Sequence, residues 1–470
     1  MSPISAPVPA DRATCRAALI ISMISAFQTA LLNSSVNVAL PAIGREFDMH
    51  ATALGWVAMA MILTSAAFVV PFGRFADIHG RKRIMTWGTA FFTLGSLACA
   101  LAVNTAMLLA ARALQGLGTA LVFGTGVAIL TSVFPPEKRG KALGYNVAAV
   151  YMGLSVGPFI GGLLTGYLGW RSLFWVNVPL GLLVLGLLLT RLNGEWNEAR
   201  GERFDSAGAL LFSGMVVCIM FGLSIVPAFS AFALIAAGIA LLVVFAVFES
   251  RQGNPVLDVR LFRHNPTFAF SNLAALINYS AAFTVSFLLS LYLQYLKGLT
   301  PLQTGLALMA QPVVMGLLSP AAGRLSDRIE PALLSSAGMG LTTLGLTLLG
   351  FLDGATPLAS IIVALLIIGA GFALFSSPNT NAIMSSIERR QYGLAAGIVS
   401  TMRLTGQMAG LALATMLLSV FLGSARLSFG PNLEFLTVVR LSFHISAGLC
   451  FLGIFASLAR GKVHRQPATG

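Results

Sequence analysis

Charged residues are scarce in this sequence. Lys, Arg, Asp and Glu make up 10% of its 470 residues, whereas about a quarter of the residues in soluble domains are charged. Hydrophobic residues make up 57% of the chain. So few charges cannot provide a water-solvated surface for a folded chain of this length, which excludes a soluble enzyme or binding domain and indicates a membrane protein.

Cysteine and histidine are also few, at four and five residues. The cysteines lack the paired spacing of a disulfide framework, and the histidines lack the spacing of metal ligands. No G-x-S-x-G, P-loop or H-E-x-x-H pattern occurs. We therefore expect that the protein is not an enzyme and that it holds no metal and no cofactor.

Long apolar stretches, by contrast, fill the chain almost end to end. A bilayer core about 30 Å thick requires roughly 20 apolar residues of helix, because only closed backbone hydrogen bonding is stable in hydrocarbon. The sequence therefore predicts an all-α integral membrane protein with fourteen transmembrane helices. The predicted spans are 17–43, 52–72, 84–103, 107–131, 141–166, 171–191, 207–226, 229–248, 267–296, 303–323, 332–351, 357–386, 392–420 and 440–459.

The net charge of +13 is distributed unevenly across the predicted membrane. Segments on the side of the N-terminus carry 22 Lys and Arg residues, whereas the loops on the other side carry only 5. This asymmetry predicts that both termini are cytoplasmic. The basic segments then serve topology and contact with anionic lipid, so we expect a bilayer as partner and no nucleic acid.

Two sequence patterns recur at the same offset. Residues 73–77 (GRFAD) recur as 323–327 (GRLSD), and residues 137–139 (EKR) as 388–390 (ERR), at offsets of 250 and 251. Since equivalent spans are eight apart, six-helix halves must flank two additional helices. The predicted units are an N-terminal half (1–192), a linker with two extra helices (193–263) and a C-terminal half (264–470). Repeats of this kind are typical of transporters that bind substrate between their halves.

At this point the motifs resemble the major facilitator superfamily, in its fourteen-helix drug:proton antiporter branch. The residues that match the family's motifs are Gly73, Asp77, Gly80 and Arg81 after the second span, Arg112, Gln115, Gly116 and Gly118 in the fourth, and Gly153, Gly157, Pro158, Gly161 and Gly162 in the fifth. The resemblance implies a multidrug exporter of small amphiphilic compounds that works by alternating access in the bacterial inner membrane, with the proton gradient as its energy source. We expect a monomer. The alternative is an importer of the same fold, a proton symporter or uniporter of a small organic solute.

Several motif residues are candidates for gating. Asp77 lies beside basic residues at a helix end, where a charge latch between the halves is one interpretation and a simple turn the other; Asp327 is its counterpart in the repeat. Gly153, Gly157 and Gly161 form a smooth stripe that another helix can approach closely, either as a packing face or as a pivot between the halves. Pro158 within this stripe bends the helix.

Polar residues within the apolar spans are candidates for the substrate cavity. They are Gln28, Asn33, Asn37, Arg112, Gln115, Asn278, Gln311, Asn379 and Arg403. The alternative for any one of them is a hydrogen bond between helices, and for Arg112 also snorkelling to the membrane surface.

The first span departs from the family's pattern, which usually reads L-D-x-T-x-V-N-V-A-L-P. Residues 32–41 read LNSSVNVALP, so Asn33 replaces the family's aspartate. All sixteen acidic residues lie at helix ends or in loops. A cavity with arginines and no carboxylate is predicted to be positive and to favour neutral or anionic substrates. Three alternatives follow for proton coupling: Asp77 carries the proton, His444 carries it, or transport is not coupled to protons.

Overall fold

The computed structural model describes residues 11–461 except 254, 258, 327, 388–391, 424, 426, 428–429 and 431. Its described part contains helices and no strands. The helices are α1 (Arg12–Glu46), α2 (Ala51–His79), α3 (Arg81–Ala100), α4 (Thr105–Val133), α5 (Pro136–Leu168), α6 (Arg171–Thr190), α7 (Ser206–Ser224), α8 (Phe229–Glu249), α9 (Arg260–His264), α10 (Pro266–Tyr295), α11 (Pro301–Leu308), α12 (Ala310–Ser326), α13 (Pro331–Gly350), α14 (Leu358–Ser385), α15 (Tyr392–Leu422) and α16 (Leu433–Ala459).

Within the described residues, thirteen spans are long and apolar enough to cross a membrane. Helices α11 and α12 form one of these spans, with a break at Met309. The predicted third span corresponds to α3, a 20-residue helix whose basic start and threonines lower its hydropathy. It packs between α4 and α6. The protein is therefore an all-α, multi-pass membrane protein, as predicted.

Short polar residues fix where several of these helices begin. Asp11 and Asn104 accept hydrogen bonds from backbone N–H groups in the first turns of α1 and α4, both at 2.8 Å. Thr300 and Gln303 form a reciprocal capping box at the start of α11. Such caps satisfy N–H groups that have no partner inside the helix. Gly80 separates α2 from α3 with φ of 112°, a conformation that favours glycine.

Helices α1–α6 pack together as the first half, and α10–α16 as the second. The two inserted helices, α7 and α8, differ from one another. Most of α8 is exposed, whereas α7 packs on α2 and α15 and so touches both halves. Ser213 on α7 donates to the Ala67 carbonyl at 2.8 Å, and Phe221 packs on Trp56 with ring centroids 5.2 Å apart. Helix α7 therefore packs as part of the body that the two halves form.

The two halves are joined mainly at one face of the molecule. We call the face where α1 begins and α16 ends the terminal face, and the opposite one the distal face. On the distal side, Ser290 donates to the Asn37 carbonyl at 2.7 Å and Gln294 to the Val38 carbonyl at 2.9 Å. Within the described residues, no hydrogen bond joins the halves closer to the terminal face than the contact of Tyr151 with Ser376. The space between the halves is thus closed distally.

Candidate functional site

A cavity of about 120 Å³ lies between the two halves near the middle of the spans. Helices α1, α2, α4 and α5 of the first half form one wall, and α10, α11, α12, α14 and α15 of the second half form the other. Three of the nine predicted cavity residues line it: Asn33, Gln311 and Arg403. Pro158, predicted as a bend, also lines it. Both halves therefore contribute polar groups to one shared space.

Arg403 carries the only charge on the cavity wall among the described residues. It is half-buried on α15, and its guanidinium carbon lies 5.3 Å from the ring centroid of Phe123 on α4. A cation over a ring face is stabilised by the ring quadrupole. No acidic side chain lines the cavity wall in the described part of the chain, so the positive charge is not neutralised locally.

Gln407 lies one helical turn beyond Arg403 and lines the same cavity. The side chain is only 7% exposed, and its Oε1 atom has no hydrogen-bond partner in the described residues. A buried amide without a partner costs free energy, about 1–3 kcal/mol. The sequence prediction missed Gln407, although its spacing of four residues from Arg403 on a helix was a usable signal.

Asn33 lies on α1 and lines the cavity from the first half, across from Arg403 and Gln407 of the second half. Its neighbours Ser34 and Ser35 donate to backbone carbonyls of α1, and Ser35 also to Gly157 on α5 at 2.8 Å. Asn33 is half-buried and makes no side-chain hydrogen bond within the described part of the chain. The amide that replaces the family's carboxylate is therefore available to a substrate.

Aromatic side chains complete the cavity wall. The Tyr151 hydroxyl lies 2.5 Å from Ser376 Oγ, and the Tyr279 hydroxyl lies 3.3 Å from the same atom. Tyr279 also packs edge-on against Phe372, with centroids 6.0 Å apart. The sequence prediction missed Tyr151 and Phe372 in this role, because an aromatic residue in an apolar span gives no sign of whether it faces a cavity, lipid or the core.

The remaining predicted cavity residues lie outside the cavity. Arg112 is fully buried between α2 and α4, where it donates to the Val57 carbonyl and to Gln115 Oε1, both at 2.9 Å. Gln115 in turn donates to Ser96 Oγ at 2.9 Å. Arg112 therefore neither snorkels nor reaches the cavity, because α2 and α4 supply its partners.

Four amides are likewise placed between helices. Gln28 donates to the Asn177 carbonyl at 2.8 Å, and Asn37 donates to Ser286 Oγ across the two halves at 3.0 Å. Asn379 accepts from the buried Arg460 at 2.9 Å. Asn278 is fully buried, and both polar atoms of its side chain lack a partner in the described residues.

The glycine stripe of α5 packs on α1, within the same half. Cβ atoms built on Gly153 and Gly161 would lie 2.6 and 2.8 Å from backbone carbonyl oxygens of α1, and one on Gly157 would overlap Ser34 Oγ. The contact with the other half is made beside the stripe, where Pro158 and Gly162 meet α11. The stripe thus holds α5 against α1, and the adjacent face carries the interface between the halves.

The charged motif forms a terminal cluster of Arg74, Asp77 and Arg81 with Glu195, Glu198 and Glu202. Arg81 binds Asp77 and Glu198, each at 2.7 Å, and Ser132 at 2.5 Å. Arg74 pairs with Glu202 at 2.5 Å. Glu195 accepts from two backbone N–H groups at the start of α3.

These partners differ from the predicted latch between the halves, because the acids come from the linker segment 193–204 rather than from α10–α16. Gly80 lies against Glu195 and Gly73 against Gly124 of α4, both on this face. Asp327, the predicted counterpart, lies outside the described residues. Burial alone would raise the pKa of Glu198, but the hydrogen bond and charge of Arg81 together with Ser132 hold it below its ordinary value.

A many-spanning helical fold with a cavity between two halves is the architecture typical of membrane transporters. The family model described as Major Facilitator Superfamily matches residues 22–257 and 271–469. The chain belongs to this family, which confirms the predicted resemblance.

Two relatives and one solved structure illustrate the similarity. "Riboflavin transporter RibZ" of Clostridioides difficile is 30% identical over 448 residues, which cover 94% of this chain and 96% of that protein. "Multidrug resistance protein Stp" of Mycobacterium tuberculosis is 35% identical over 412 residues, covering 85% and 74%. A bacterial homolog of the lysosomal transporter Spinster, solved in an inward-facing conformation, has a TM-score of 0.69 at 17% identity and covers 96% and 98%. This last likeness shows the fold alone.

Proposed function

We propose that the protein exports small neutral or anionic amphiphilic compounds from the bacterial cytoplasm by alternating access. The observation that carries the proposal is the cavity between the halves, with aromatic walls and polar groups that have no partner of their own. Such a site can bind an apolar body and orient its polar end. The relative named as a multidrug resistance protein supports the direction.

The proposed topology places both termini, and hence the terminal face, in the cytoplasm of a bacterial inner membrane. The asymmetry of Lys and Arg supports this orientation. The cavity is closed at the distal face, so the described conformation is the one that takes up substrate from the cytoplasm. The protein acts as a monomer in lipid, without cofactor or nucleic acid.

The energy source in this proposal is the proton gradient, in antiport with the substrate. The carrier is a group outside the cavity, because the cavity wall holds no carboxylate in the described residues. Of the two candidates, His444 packs against Phe351 and Gly350 on the far side of the second half. Asp77 lies in the terminal cluster, on the face where no hydrogen bond joins the halves within the described residues, and we favour it.

Uptake of a small organic solute is the second candidate. A relative named as a riboflavin transporter aligns over 94% of this chain, and a cavity between two halves can load from either side. Import and export differ in the gradient that drives net flux, so the direction is a measurable property.

The test uses purified protein in proteoliposomes with a pH gradient imposed in either direction. A neutral and an anionic fluorescent amphiphile are followed, with empty liposomes as control. Substrate movement opposite to the proton gradient supports antiport, and movement with the protons supports the importer. Absence of flux for every amphiphile in an efflux-deficient host and in liposomes would refute the transport function proposed here.

Topology is tested separately in intact cells. Single cysteines at Gly470 and in the turn 227–230 are treated with a membrane-impermeant maleimide. We expect labelling of the turn and protection of Gly470→Cys. Labelling of Gly470→Cys from outside would reverse the orientation and with it the assignment of the open side.

A further inference from the structure

We propose that Arg403 and Gln407 form a subsite for the anionic group of an aromatic substrate. The proposal rests on the transport function above and narrows it to a chemical class: a flat aromatic compound with one carboxylate or similar anion and a hydrogen-bonding group beside it. Both side chains lie on α15, one turn apart, and line the same cavity.

The first support is the state of the Arg403 guanidinium. Two fully buried arginines have their donors satisfied by the protein: Arg112 by Val57 and Gln115, and Arg460 by Ser457 and Asn379. Arg403 makes no hydrogen bond to any described residue, and its guanidinium lies over the Phe123 ring. Stacking on a ring leaves the edges of the guanidinium free, and these edges are what bind a carboxylate in bidentate fashion.

The second support is Gln407, an independent buried polar group. Its Oε1 atom lacks a partner although the side chain is 93% buried, that is, 7% exposed. An amide in this position can accept from an O–H or N–H on the substrate or donate to the same anion as Arg403. Substrate binding would relieve the cost of leaving this group unpaired.

The third support is the aromatic character of the surrounding cavity wall. Phe123, on α4, lies beside Arg403. Tyr279 and Phe372 pack together in the second half. Aromatic faces favour a flat π-system in offset or edge-on packing. No carboxylate on the described cavity wall competes for Arg403, so a substrate anion is the complementary group.

The test measures binding of three probes of nearly equal size to the detergent-purified full chain: 2-naphthoate, 2-naphthamide and 2-naphthylmethylammonium. We expect the wild-type protein to bind the anion at least about tenfold more tightly than the amide, equivalent to about 1.4 kcal/mol, and the cation most weakly. Arg403→Gln should abolish the preference for the anion and leave the amide affinity within about twofold.

Three further variants distinguish recognition by the Arg403–Gln407 subsite from a change in overall charge. Arg403→Lys retains the charge but not the planar pair of donors, and should keep only part of the anion preference. Gln407→Leu should weaken binding of the anion and the amide alike. Arg263→Gln removes one positive charge from an exposed position on α9 and should change neither. Unfolding temperatures of all variants establish that each is folded.

Equal affinity of wild type for naphthoate and naphthamide would overturn the subsite, as would an unchanged preference in Arg403→Gln. Failure to bind any of the three probes would also count against it. None of these results contradicts the transport proposal if a neutral amphiphile is still exported in proteoliposomes. Loss of all export, by contrast, would remove both.

Discussion

The polar groups buried inside each half differ from those between the halves. Within the halves, Arg112 and Gln115 are tied together and to neighbouring helices, and Arg460 is tied to Asn379. Between them, Arg403 and Asn33 line a cavity and make no hydrogen bond within the described part of the chain. Residues of the same type therefore hold helices together in one region and are available to a ligand in the other.

The difference has a physical origin. In the proposed alternating access, helices within a half stay packed, so buried groups such as Arg112 and Arg460 can keep permanent partners. Groups between the halves exchange partners when the halves move, and a permanent bond there would oppose the motion. Satisfied groups are therefore expected to affect stability, and unsatisfied groups to affect transport.

The largest effect is expected for Gly157→Leu. A Cβ at this position already overlaps Ser34 Oγ, and overpacking costs about 1–3 kcal/mol or more. The unfolding temperature in detergent and the export rate should both fall. The matched control is Gly166→Leu on the same helix, where a Cβ would meet nothing within 4 Å. Equal behaviour of the two variants would contradict the close contact of α5 with α1.

The second-largest effect is expected for Arg112→Ala, which should lower the free energy of unfolding by about 2 kcal/mol. The substitution removes a fully buried side chain and leaves Gln115 Oε1 without its donor. Arg403→Ala is the comparison variant and should leave the unfolding temperature within about one degree, since it breaks no hydrogen bond. Thermal unfolding of both proteins is the measurement. The contrast between the two regions breaks down if the Arg403 variant is the less stable one.

Asn33→Asp should change selectivity with little effect on stability. An acid on the cavity wall opposite Arg403 places a titratable group where the family usually has one. We expect a several-fold gain in efflux of a lipophilic cationic dye, a new pH dependence between pH 6 and 8, or both. Asn37→Asp, one turn away on the same helix but outside the cavity, should show neither. Strong proton-driven export of the cation by the unsubstituted protein, unchanged in Asn33→Asp, would make Asn33 structural.

The smallest effect concerns the terminal cluster. Glu198 is paired with Arg81, but its side chain is 66% exposed, and exposed pairs contribute about 0–1 kcal/mol. Because its folded pKa lies below the ordinary value, the stabilisation is complete above that ordinary value and is lost as the pH falls through the folded pKa. Glu198→Gln should therefore lower the unfolding temperature slightly at pH 7, and the difference should shrink as the pH falls below the ordinary pKa of a glutamate and through the lowered folded pKa. A difference that grows on acidification would contradict the assigned sign.

Much of the fold could be predicted from sequence, because a transmembrane helix can be recognised from the length and apolarity of a stretch alone. The repeated motifs predicted a division into halves, and the motif residues indicated the family, which the family model confirms. Prediction of the site was less complete. Asn33, Gln311 and Arg403 lie on the cavity wall, whereas Gln28, Arg112 and Asn379 lie within a half. A polar residue in an apolar span shows only that it avoids lipid, since both locations meet that requirement.

The sequence by itself determined that the chain spans a membrane many times, that two motifs recur at one offset and that no carboxylate lies deep in a predicted span. These properties follow from composition and order along the chain. Tertiary structure decided which buried group has a partner, because hydrogen bonds such as those of Arg112 with Val57 and of Arg81 with Glu198 join residues far apart in sequence. It also decided that Arg403 and Gln407 face a shared cavity with Phe123, since the rotation of a helix among its neighbours is set by packing of all its faces.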